Sequence, residues 1–314
     1  MIPIGGEIPH KRSNYKSYFT DSGRSSMRLF FRSNNYRNKK VLLPDFFCDI
    51  IEQVLQEEQI IYEFYKVNTD FSINQQEINQ SKFDILYVIN YFGSITSLKK
   101  INLDDKILIE DNVFSIQFKN YHNAKKWFAF NSYRKITALT DGSLIKTNIN
   151  INSQLILNSP APYTKVKTEA CNIKHLYLTK HKFTEKEYLD AFNKGEELIN
   201  AQNKIYTISP NSLFLLHKIK KNNIEKKRFN KLKHKIGFSK SKPKYYSFFT
   251  FNIENKDKFI SEMRNHNIFL PHFWQKTSAN NVLYNELIAI PLFSNYSDKE
   301  FMRIFNTIIK YQIK

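Results

Sequence analysis

The sequence predicts an α/β fold with a mostly parallel β-sheet, followed by a smaller α+β lobe. Two observations lead to this prediction. In the first part of the chain, short apolar runs rich in β-branched and aromatic residues alternate with segments of helical periodicity. Towards the end of the chain, after the basic segment 218–244, two further strands and two further helices are predicted. Because alternating strands and helices imply βαβ units, we predict a large domain over residues 1–203 and a small domain over residues 204–314.

The strands of the large domain are predicted from apolar runs bounded by turn residues. They are residues 41–44, 60–67, 83–93, 106–109, 127–130 and 143–147, with the last as an edge strand. Helices are predicted over about residues 27–31 and 47–55, and a further helix from about Ser97. Thr184 and Glu187 fit a capping box that opens a long helix ending near Ala201.

The small domain is predicted to combine two strands with helices. The strands are residues 245–253 and 287–292, and the helices are residues 256–264 and 298–309. Between the two domains, the basic segment 218–244 carries apolar residues at roughly helical spacing. We interpret it as an amphipathic helix with a solvated basic face, and the alternative is attraction to an anionic substrate or a membrane-associated carrier.

The composition is that of a globular protein with a strongly basic charge. Of its 314 residues 41% are hydrophobic, and its formal net charge is +19. Such a charge suggests a nucleic acid or an anionic membrane as partner. However, no nucleic-acid-binding module is visible, and lysine is abundant throughout the chain. No apolar run approaches the ~20 residues of a membrane span. We therefore expect neither nucleic-acid binding nor a membrane span.

The cysteines and histidines indicate neither a metal site nor a disulfide framework. Cys48 and Cys171 are far apart in the sequence, and the histidines show no spacing typical of metal ligands or of a catalytic triad. Two free thiols fit a reducing compartment, and the N-terminal residues lack the pattern of a secretory signal. We therefore expect a cytoplasmic protein without a bound metal.

An acid and a lysine follow two predicted strands. Glu110 and Asp111 end one apolar run, while Ser132, Tyr133-Arg134 and Lys135 follow another. In open α/β sheets, ligands bind at the carboxyl ends of the strands. Pyridoxal phosphate needs a lysine for a Schiff base and a carboxylate for its protonated ring nitrogen. The pattern is therefore typical of a site for that cofactor, and Arg134 could lower the pKa of Lys135 or bind an anion.

A second polar segment precedes the first predicted helix. Ser22 can cap this helix, Gly23 permits close approach of the backbone to a ligand, and Arg24 and Ser25 add a cation and a hydroxyl. A helix N-terminus with these side chains can bind a phosphate group. The alternative is a well-capped helix with a solvated arginine.

The order of these motifs resembles that of the DegT/DnrJ/EryC1/StrS aminotransferases, which are fold type I pyridoxal phosphate enzymes. The resemblance covers nearly the whole chain, and its motifs are Gly6-Glu7, Ser22-Gly23-Arg24-Ser25, Val41-Leu42-Leu43-Pro44, Tyr91-Phe92-Gly93, Glu110-Asp111, Ser132-Tyr133-Arg134-Lys135 and Asp141-Gly142. It implies a homodimer that moves an amino group from a donor such as glutamate to a keto or aldehyde acceptor. A nucleotide-linked keto sugar for surface polysaccharide is one such acceptor.

The resemblance also implies a function for individual residues. Lys135 matches the Schiff-base lysine, and Asp111 matches the carboxylate that faces the pyridine nitrogen. The cofactor phosphate is assigned to Ser22, Gly23, Arg24, Ser25 and Ser132. Phe47 is expected to stack on the pyridine ring, with Phe46 and Cys48 as the competing positions.

The sequence departs from the family pattern at three points. Only two residues separate Ser132 from Lys135, which is fewer than is usual in the family. Phe114 stands where the family commonly has a polar residue, and Asp141-Gly142-Ser143 matches its acid-Gly-Gly motif only in part. Three other functions stay open besides the aminotransferase. One is a relative that has lost catalysis and serves as a binding or partner subunit, and another is a pyridoxal phosphate enzyme with different chemistry. The third, which rests on the net charge alone, is a basic nucleic-acid-binding protein.

Overall fold

A seven-stranded mixed β-sheet forms the centre of the N-terminal part of the structure. The computed structural model describes residues 14–219, 223–237 and 243–313. The strands are β1 (Lys16–Thr20), β2 (Lys40–Pro44), β3 (Ile61–Tyr65), β4 (Ile85–Ile89), β5 (Ile107–Asp111), β6 (Lys126–Phe130) and β7 (Ser143–Thr147). Their order is β1-β7-β6-β5-β4-β2-β3. The five strands β2 to β6 are parallel, whereas β7 is antiparallel to β6 and β1 is antiparallel to β7.

Helices cover this sheet and connect its strands. They are α1 (Gly23–Asn34), α2 (Asp49–Glu57) and α3 (Gln75–Gln80). After the sheet come β8 (Ile156–Leu157), α4 (Pro162–Lys180), α5 (Glu185–Ala201), β9 (Ile205–Tyr206) and α6 (Pro210–Leu216). Strands β8 and β9 form a separate two-stranded sheet. The mostly parallel α/β sheet predicted from the sequence is confirmed.

The C-terminal part of the chain builds a second hydrophobic core. It consists of α7 (Ile224–Ile236), β10 (Phe248–Asn252), α8 (Lys256–Asn265), α9 (Leu283–Glu286), β11 (Leu287–Pro291) and α10 (Asp298–Ile313). Strands β10 and β11 pair in an antiparallel sheet, and the buried residues of this core lie between Phe229 and Ile308. All buried residues of this core belong to the predicted small domain, which begins at residue 204. The boundary between the two domains stays a prediction.

Two secondary-structure predictions were wrong. Strand β7 is not at the edge of the sheet, because β1 pairs with it from Lys16 opposite Thr147. The helix predicted from about Ser97 does not form. Side chains of α3 bind the backbone there instead, with Gln75 Oε1 accepting from Lys100 N at 2.7 Å and Asn79 Nδ2 donating to Lys100 O at 2.6 Å. These bonds compete with the hydrogen bonds of a helix.

Two predicted helix starts are confirmed. Ser22 caps α1 by accepting a hydrogen bond from Ser25 N at 3.2 Å. Thr184 and Glu187 form both halves of the capping box of α5. Helix α4, which was not predicted, packs mainly against α5, and its C-terminal half is largely exposed. A helix with so little buried surface has only a weak apolar stripe, which is why its sequence pattern does not reveal it.

The described part of the basic segment is helix α7, as predicted. Phe229 and Leu232 are buried in the second core, while its lysines are exposed. Arg228 is an exception, because it is buried and donates to the carbonyl oxygens of Phe293 at 2.5 Å and Tyr296 at 2.7 Å. Lys220, Lys221, Lys240 and Lys242 lie outside the described residues, as does the Gly6-Glu7 motif. Within the residues that are described, no helix is long and apolar enough to cross a membrane.

Gly93 forms a close contact between the end of β4 and the C-terminal part of the chain. Its φ is +83°, and its carbonyl accepts from Lys244 N at 2.8 Å. A Cβ atom at Gly93 would lie 2.0 Å from the carbonyl oxygen of Tyr245. Gly237 also has a positive φ, of +87°, but a Cβ atom there would meet none of the described residues within 4 Å. The two positions therefore differ in packing and share the unusual backbone conformation.

We expect Gly93→Ala to lower the free energy of unfolding by about 3 kcal/mol or more, since it adds a backbone clash to the strain of positive φ. The control Gly237→Ala should lose only about 1–2 kcal/mol, from the strain alone. Urea denaturation of both variants measures the difference. Equal losses would contradict the tight contact at Gly93.

Glu110 lies in a buried polar cluster on the face of β5 opposite Asp111. Its carboxylate accepts hydrogen bonds from Trp127 Nε1 at 2.5 Å and from Asn90 Nδ2 at 3.2 Å, and His122 Nε2 lies 3.5 Å away. Burial raises the pKa of Glu110 to about 7, although both hydrogen bonds lower it. Burial also lowers the pKa of His122. Glu110 therefore binds its proton more tightly in the folded protein than in the unfolded chain.

This raised pKa predicts a stability that depends on pH. The contribution of Glu110 is fully present below about pH 4.5 and is lost as the pH rises to about 7. Relative to wild type, Glu110→Gln should reduce the fall in unfolding free energy across that range by on the order of 2–3 kcal/mol. Urea titrations at a series of pH values measure it, with the exposed Glu169→Gln as control. Parallel pH profiles for wild type and Glu110→Gln would contradict the prediction.

Candidate active site

One cavity opens at the carboxyl ends of β5 and β6, beside the N-terminus of α1. Its lining brings together most of the site residues predicted from the sequence, namely Ser22, Gly23, Arg24, Asp111, Ser132 and Lys135. Ser25 and Phe47 are not among the lining residues. Residues far apart in the sequence thus meet at the edge of the sheet where ligands bind in open α/β folds.

The N-terminus of α1 forms one wall of the cavity. A Cβ atom on Gly23 would lie 3.2 Å from the Phe130 ring and 3.4 Å from Asn131 O, so glycine lets the helix pack closely on β6. Ser25 is fully buried behind Ser22, whose hydroxyl donates to Ser25 Oγ at 3.2 Å. The first N–H groups of a helix have no partner within the helix. They can therefore bind an anion.

Arg24 links this wall to helix α5. Its guanidinium donates to Ile199 O at 2.8 Å and to Asn200 Oδ1 at 3.0 Å. Burial lowers the pKa of Arg24, and the neighbouring Arg28 and Arg134 lower it further. Arg24 is therefore a buried cation, and part of its hydrogen-bonding capacity is used by α5.

Asp111 ends β5 and is almost completely buried. Its Oδ2 accepts a hydrogen bond from Tyr87 Oη at 2.9 Å, and its Oδ1 accepts one from Val113 N at 3.0 Å. Burial raises the pKa of Asp111 to about 6, while these hydrogen bonds and Lys135 lower it. The contact of Tyr87 with Asp111 was not predicted from the sequence. Tyr87 lies on β4 two residues before Ile89, which pairs with Asp111, so its side chain is on the same face as that of Ile89. This placement could have been predicted only if the strand register had been known.

Lys135 lies in a compact turn after β6. The turn Tyr133–Lys135 is a short 3₁₀ helix, in which Lys135 N donates to Ser132 O at 3.2 Å. The short spacing between Ser132 and Lys135 thus still brings the lysine to the cavity. The Lys135 side chain is accessible to solvent through the cavity, yet its pKa is lowered to about 8. The charge of Arg134 is the main cause, followed by burial.

Asp141 and Gly142 support this turn from behind. Gly142 has a φ of +111° and its carbonyl accepts from Tyr133 N at 2.9 Å. Asp141 is fully buried and accepts hydrogen bonds from Ser209 N and Ser209 Oγ, both at 2.8 Å. The partial match to the acid-Gly-Gly motif therefore joins the turn to the start of α6.

Aromatic and apolar side chains form the remaining wall of the cavity. Phe114, Phe273 and Trp274 line it. Phe47 is fully buried and instead stacks on Phe64, with the ring centroids 5.7 Å apart. Of the three competing positions for a ring-stacking residue, only Cys48 lines the cavity. Burial raises the pKa of its thiol to about 11.

The described part of the chain contains no cluster of three or more histidine, cysteine or acidic side chains that could hold a metal ion. The polar groups of the cavity are a carboxylate, three cations and two hydroxyls beside a helix N-terminus. Such a set suits an organic anion with a cationic or carbonyl group.

The structure is similar to known aminotransferases. A putative sugar aminotransferase from Streptococcus pneumoniae in its PMP form has a TM-score of 0.63 and 11% identity, covering 95% of this chain and 88% of that chain. A DegT DnrJ EryC1 StrS aminotransferase from Brucella abortus has a TM-score of 0.61 and 12% identity, covering 95% and 86%. For the histidinol-phosphate aminotransferase from Clostridium acetobutylicum, the TM-score is 0.53 at 14% identity, covering 95% and 84%.

No protein-family model and no curated protein sequence matches this chain. At such low identity, the structural similarity extends to the fold and leaves the substrate open. The similarity nevertheless runs through nearly the full length of the chain, and the cavity lies at the strand ends where this fold binds its ligands. The protein therefore has the fold of the fold type I aminotransferases.

Proposed function

We propose that this protein is a pyridoxal phosphate-dependent aminotransferase. One observation carries the proposal: Asp111 and Lys135 line the same cavity, together with the N-terminus of a helix of 12 residues. A carboxylate, a lysine and an anion site are the three contacts that this cofactor requires. The alternative of an unrelated structural lysine does not explain why all three meet.

The residues of the cavity fit the cofactor. Each oxygen of Asp111 accepts one hydrogen bond from the protein, so lone pairs are left for a pyridinium N–H. The N–H groups at the start of α1, together with Ser22 and Ser132, suit a phosphate group. Lys135 lines the same cavity and would hold the aldehyde of the cofactor. When bound, pyridoxal phosphate supplies the electron sink that makes the carbon beside the amino group acidic.

The chain's own residues have separate functions in this proposal. Asp111 keeps the ring nitrogen protonated by holding a negative charge against it. Lys135, with a pKa of about 8, can both release and accept a proton near neutral pH, as a general base and acid must. Tyr87 and the amide of Val113 fix the carboxylate of Asp111. Phe114 and Trp274 exclude water from one side of the cavity.

The same comparison supports a proposal for the substrates. We propose an amino acid such as glutamate as donor and a keto or aldehyde compound as acceptor. Sugar aminotransferases are among the similar structures, which supports a sugar as that acceptor. We further propose that it is a nucleotide-linked keto sugar used in surface polysaccharide synthesis. We also propose a homodimer, because this fold builds its site at a subunit interface. A panel of donors and acceptors, with product detection by mass spectrometry, tests these assignments.

Lys135 should form a bond to the cofactor that borohydride reduces. Full-length protein incubated with pyridoxal phosphate should show a visible absorption band, and borohydride should leave a phosphopyridoxyl group on the peptide that contains Lys135. Lys135→Ala should lose the band and at least 100-fold of transamination, because it removes both the covalent contact and the general base. Mass spectrometry of the digested protein identifies the modified lysine.

Lys194→Ala, an exposed lysine on α5, is the matched control and should behave as wild type. Modification of other lysines in place of Lys135, or no band with wild type, would contradict the proposal. A protein that binds the cofactor without transamination of any tested donor would favour the second candidate, a binding or partner subunit.

Asp111→Asn should retain cofactor binding but lose about 100-fold or more of the rate of donor conversion. Breaking a buried charge pair costs about 3 kcal/mol or more, which corresponds to such a loss. Single-turnover kinetics of the visible band measures it. The exposed Asp104→Asn is the control. A rate unchanged in Asp111→Asn would show that the carboxylate does not face the ring nitrogen.

A further inference from the structure

Arg134 is a cation of the cavity to which the proposed reaction assigns no function. It lines the cavity, directly precedes Lys135 in the turn and is about one-fifth exposed. Its contact with an acid is long, because Nη1 lies 3.5 Å from Glu196 Oε1 on α5. Arginine has five N–H donors in a planar fork, so most of this hydrogen-bonding capacity is left for another partner.

Glu196 is bound more closely by Lys167 than by Arg134. Lys167 Nζ makes a short ion pair with the same oxygen, Glu196 Oε1, and this lysine side chain is almost completely buried. A Cβ atom on Gly195 would lie 2.7 Å from Lys167 Cδ. Glycine at position 195 therefore makes room for the lysine stem, which crosses α5 to reach Glu196. The contact between α4 and α5 fixes the acid on Lys167.

The charge of Arg134 is therefore compensated only in part. Arg134 lowers the pKa of Glu196, so the two charges interact, but the closer Lys167 binds the same carboxylate oxygen. Arg24 is engaged with Ile199 O and Asn200 Oδ1. The phosphate of the cofactor has its own site in the N–H groups at the start of α1. Arg134 is therefore available for a second anion beside Lys135.

We propose that Arg134 binds the carboxylate of the amino-acid donor, and that Lys167 keeps Glu196 from occupying it. This inference rests on the proposed function. In an amino-acid donor, the amino group and the carboxylate are attached to the same carbon, so the carboxylate would lie close to Lys135 whenever the amino group does. A planar arginine fork next to that lysine can take a carboxylate through two parallel hydrogen bonds.

A carboxylate bound to Arg134 would change the pKa of Lys135. Arg134 is the main cause of the lowered pKa of Lys135, and Arg24 lowers it as well. Cys48 and Glu196 raise it, and Lys135 in turn lowers the pKa of Asp111 on β5. A carboxylate bound to Arg134 cancels part of the dominant positive charge. Donor binding therefore raises the pKa of Lys135 and prepares it to hold a proton.

The test measures the pKa of Lys135 without requiring catalysis. The full-length protein, with any bound aldehyde removed by hydroxylamine, is labelled with trace acetic anhydride across a pH series at constant ionic strength. Mass spectrometry then reports the labelling of Lys135 alone. Acetate or succinate should reduce its labelling near pH 8 severalfold in wild type, because the lysine becomes protonated. Arg134→Gln should have a higher pKa from the start and no response to either carboxylate.

Two further variants should shift the pKa of Lys135 in opposite directions. Lys167→Met frees Glu196 to pair with Arg134, so the pKa of Lys135 should rise and the carboxylate response should weaken. Glu196→Gln removes an anion that raises this pKa, so the pKa should fall. Lys165→Met, an exposed lysine of the same helix, is the control and should match wild type. Arg134→Lys should keep the low pKa but bind carboxylate more weakly, since it loses the planar fork.

The outcomes separate the possible anions. Inorganic phosphate provides the second arm of the experiment. A response of Lys135 to phosphate but not to carboxylates would overturn the donor assignment and make Arg134 part of the phosphate site. A carboxylate response that persists in Arg134→Gln would also overturn it. Borohydride trapping on Lys135 tests the proposed function separately, because it does not depend on Arg134.

Discussion

The compact turn between β6 and β7 is the constraint on which the site depends. It is closed by the hydrogen bond from Tyr133 N to Gly142 O, and it directs Lys135 to the end of β6. A Cβ atom on Gly142 would lie 2.6 Å from Ile208 Cδ1, so it would push the end of that side chain aside, and the positive φ of this position favours glycine in any case. Asp141 ties the turn to α6 through Ser209. The position of Lys135 thus depends on the contact of Asp141 with Ser209, a residue that lies much later in the chain.

Two different physical causes shift the pKa values of Asp111 and Lys135. Asp111 has a pKa raised to about 6 because it is buried, whereas Lys135 has a lowered pKa chiefly because of Arg134. The pKa of Lys135, about 8, lies near neutral pH, where a general acid and base transfers protons efficiently. A cofactor with a cationic ring nitrogen would favour the charged form of Asp111. The surplus positive charge around Lys135 is accordingly best understood together with the anions that the site would bind.

The sequence predicts local features of this structure better than long-range ones. The cap of α1 by Ser22 and the capping box at Thr184 were predictable, because each depends on residues within one helical turn. Strand β1 was not assigned, since its pairing with β7 joins residues more than a hundred positions apart. Side chains of α3 also displaced the helix expected after Ser97.

The candidate site shows the same division. Asp111 and Lys135 could be chosen as candidates because both follow recognisable apolar runs, and both line the cavity. The contact of Tyr87 with Asp111 depends on strand register, and the ion pair of Lys167 with Glu196 depends on how α4 packs on α5. Phe47 was expected at the ring, but the chain turns so that Cys48 lines the cavity and Phe47 packs inward. A shift of one residue in an irregular segment has no signal in composition or periodicity.

A crystal structure of the protein grown with pyridoxal phosphate tests the central claim most directly. The account predicts continuous electron density between Lys135 Nζ and the aldehyde carbon of the cofactor. It also predicts the ring nitrogen within hydrogen-bond distance of Asp111 and the phosphate at the N-terminus of α1. Cofactor bound to another lysine, or a cavity that stays without cofactor at saturating concentration, would contradict it.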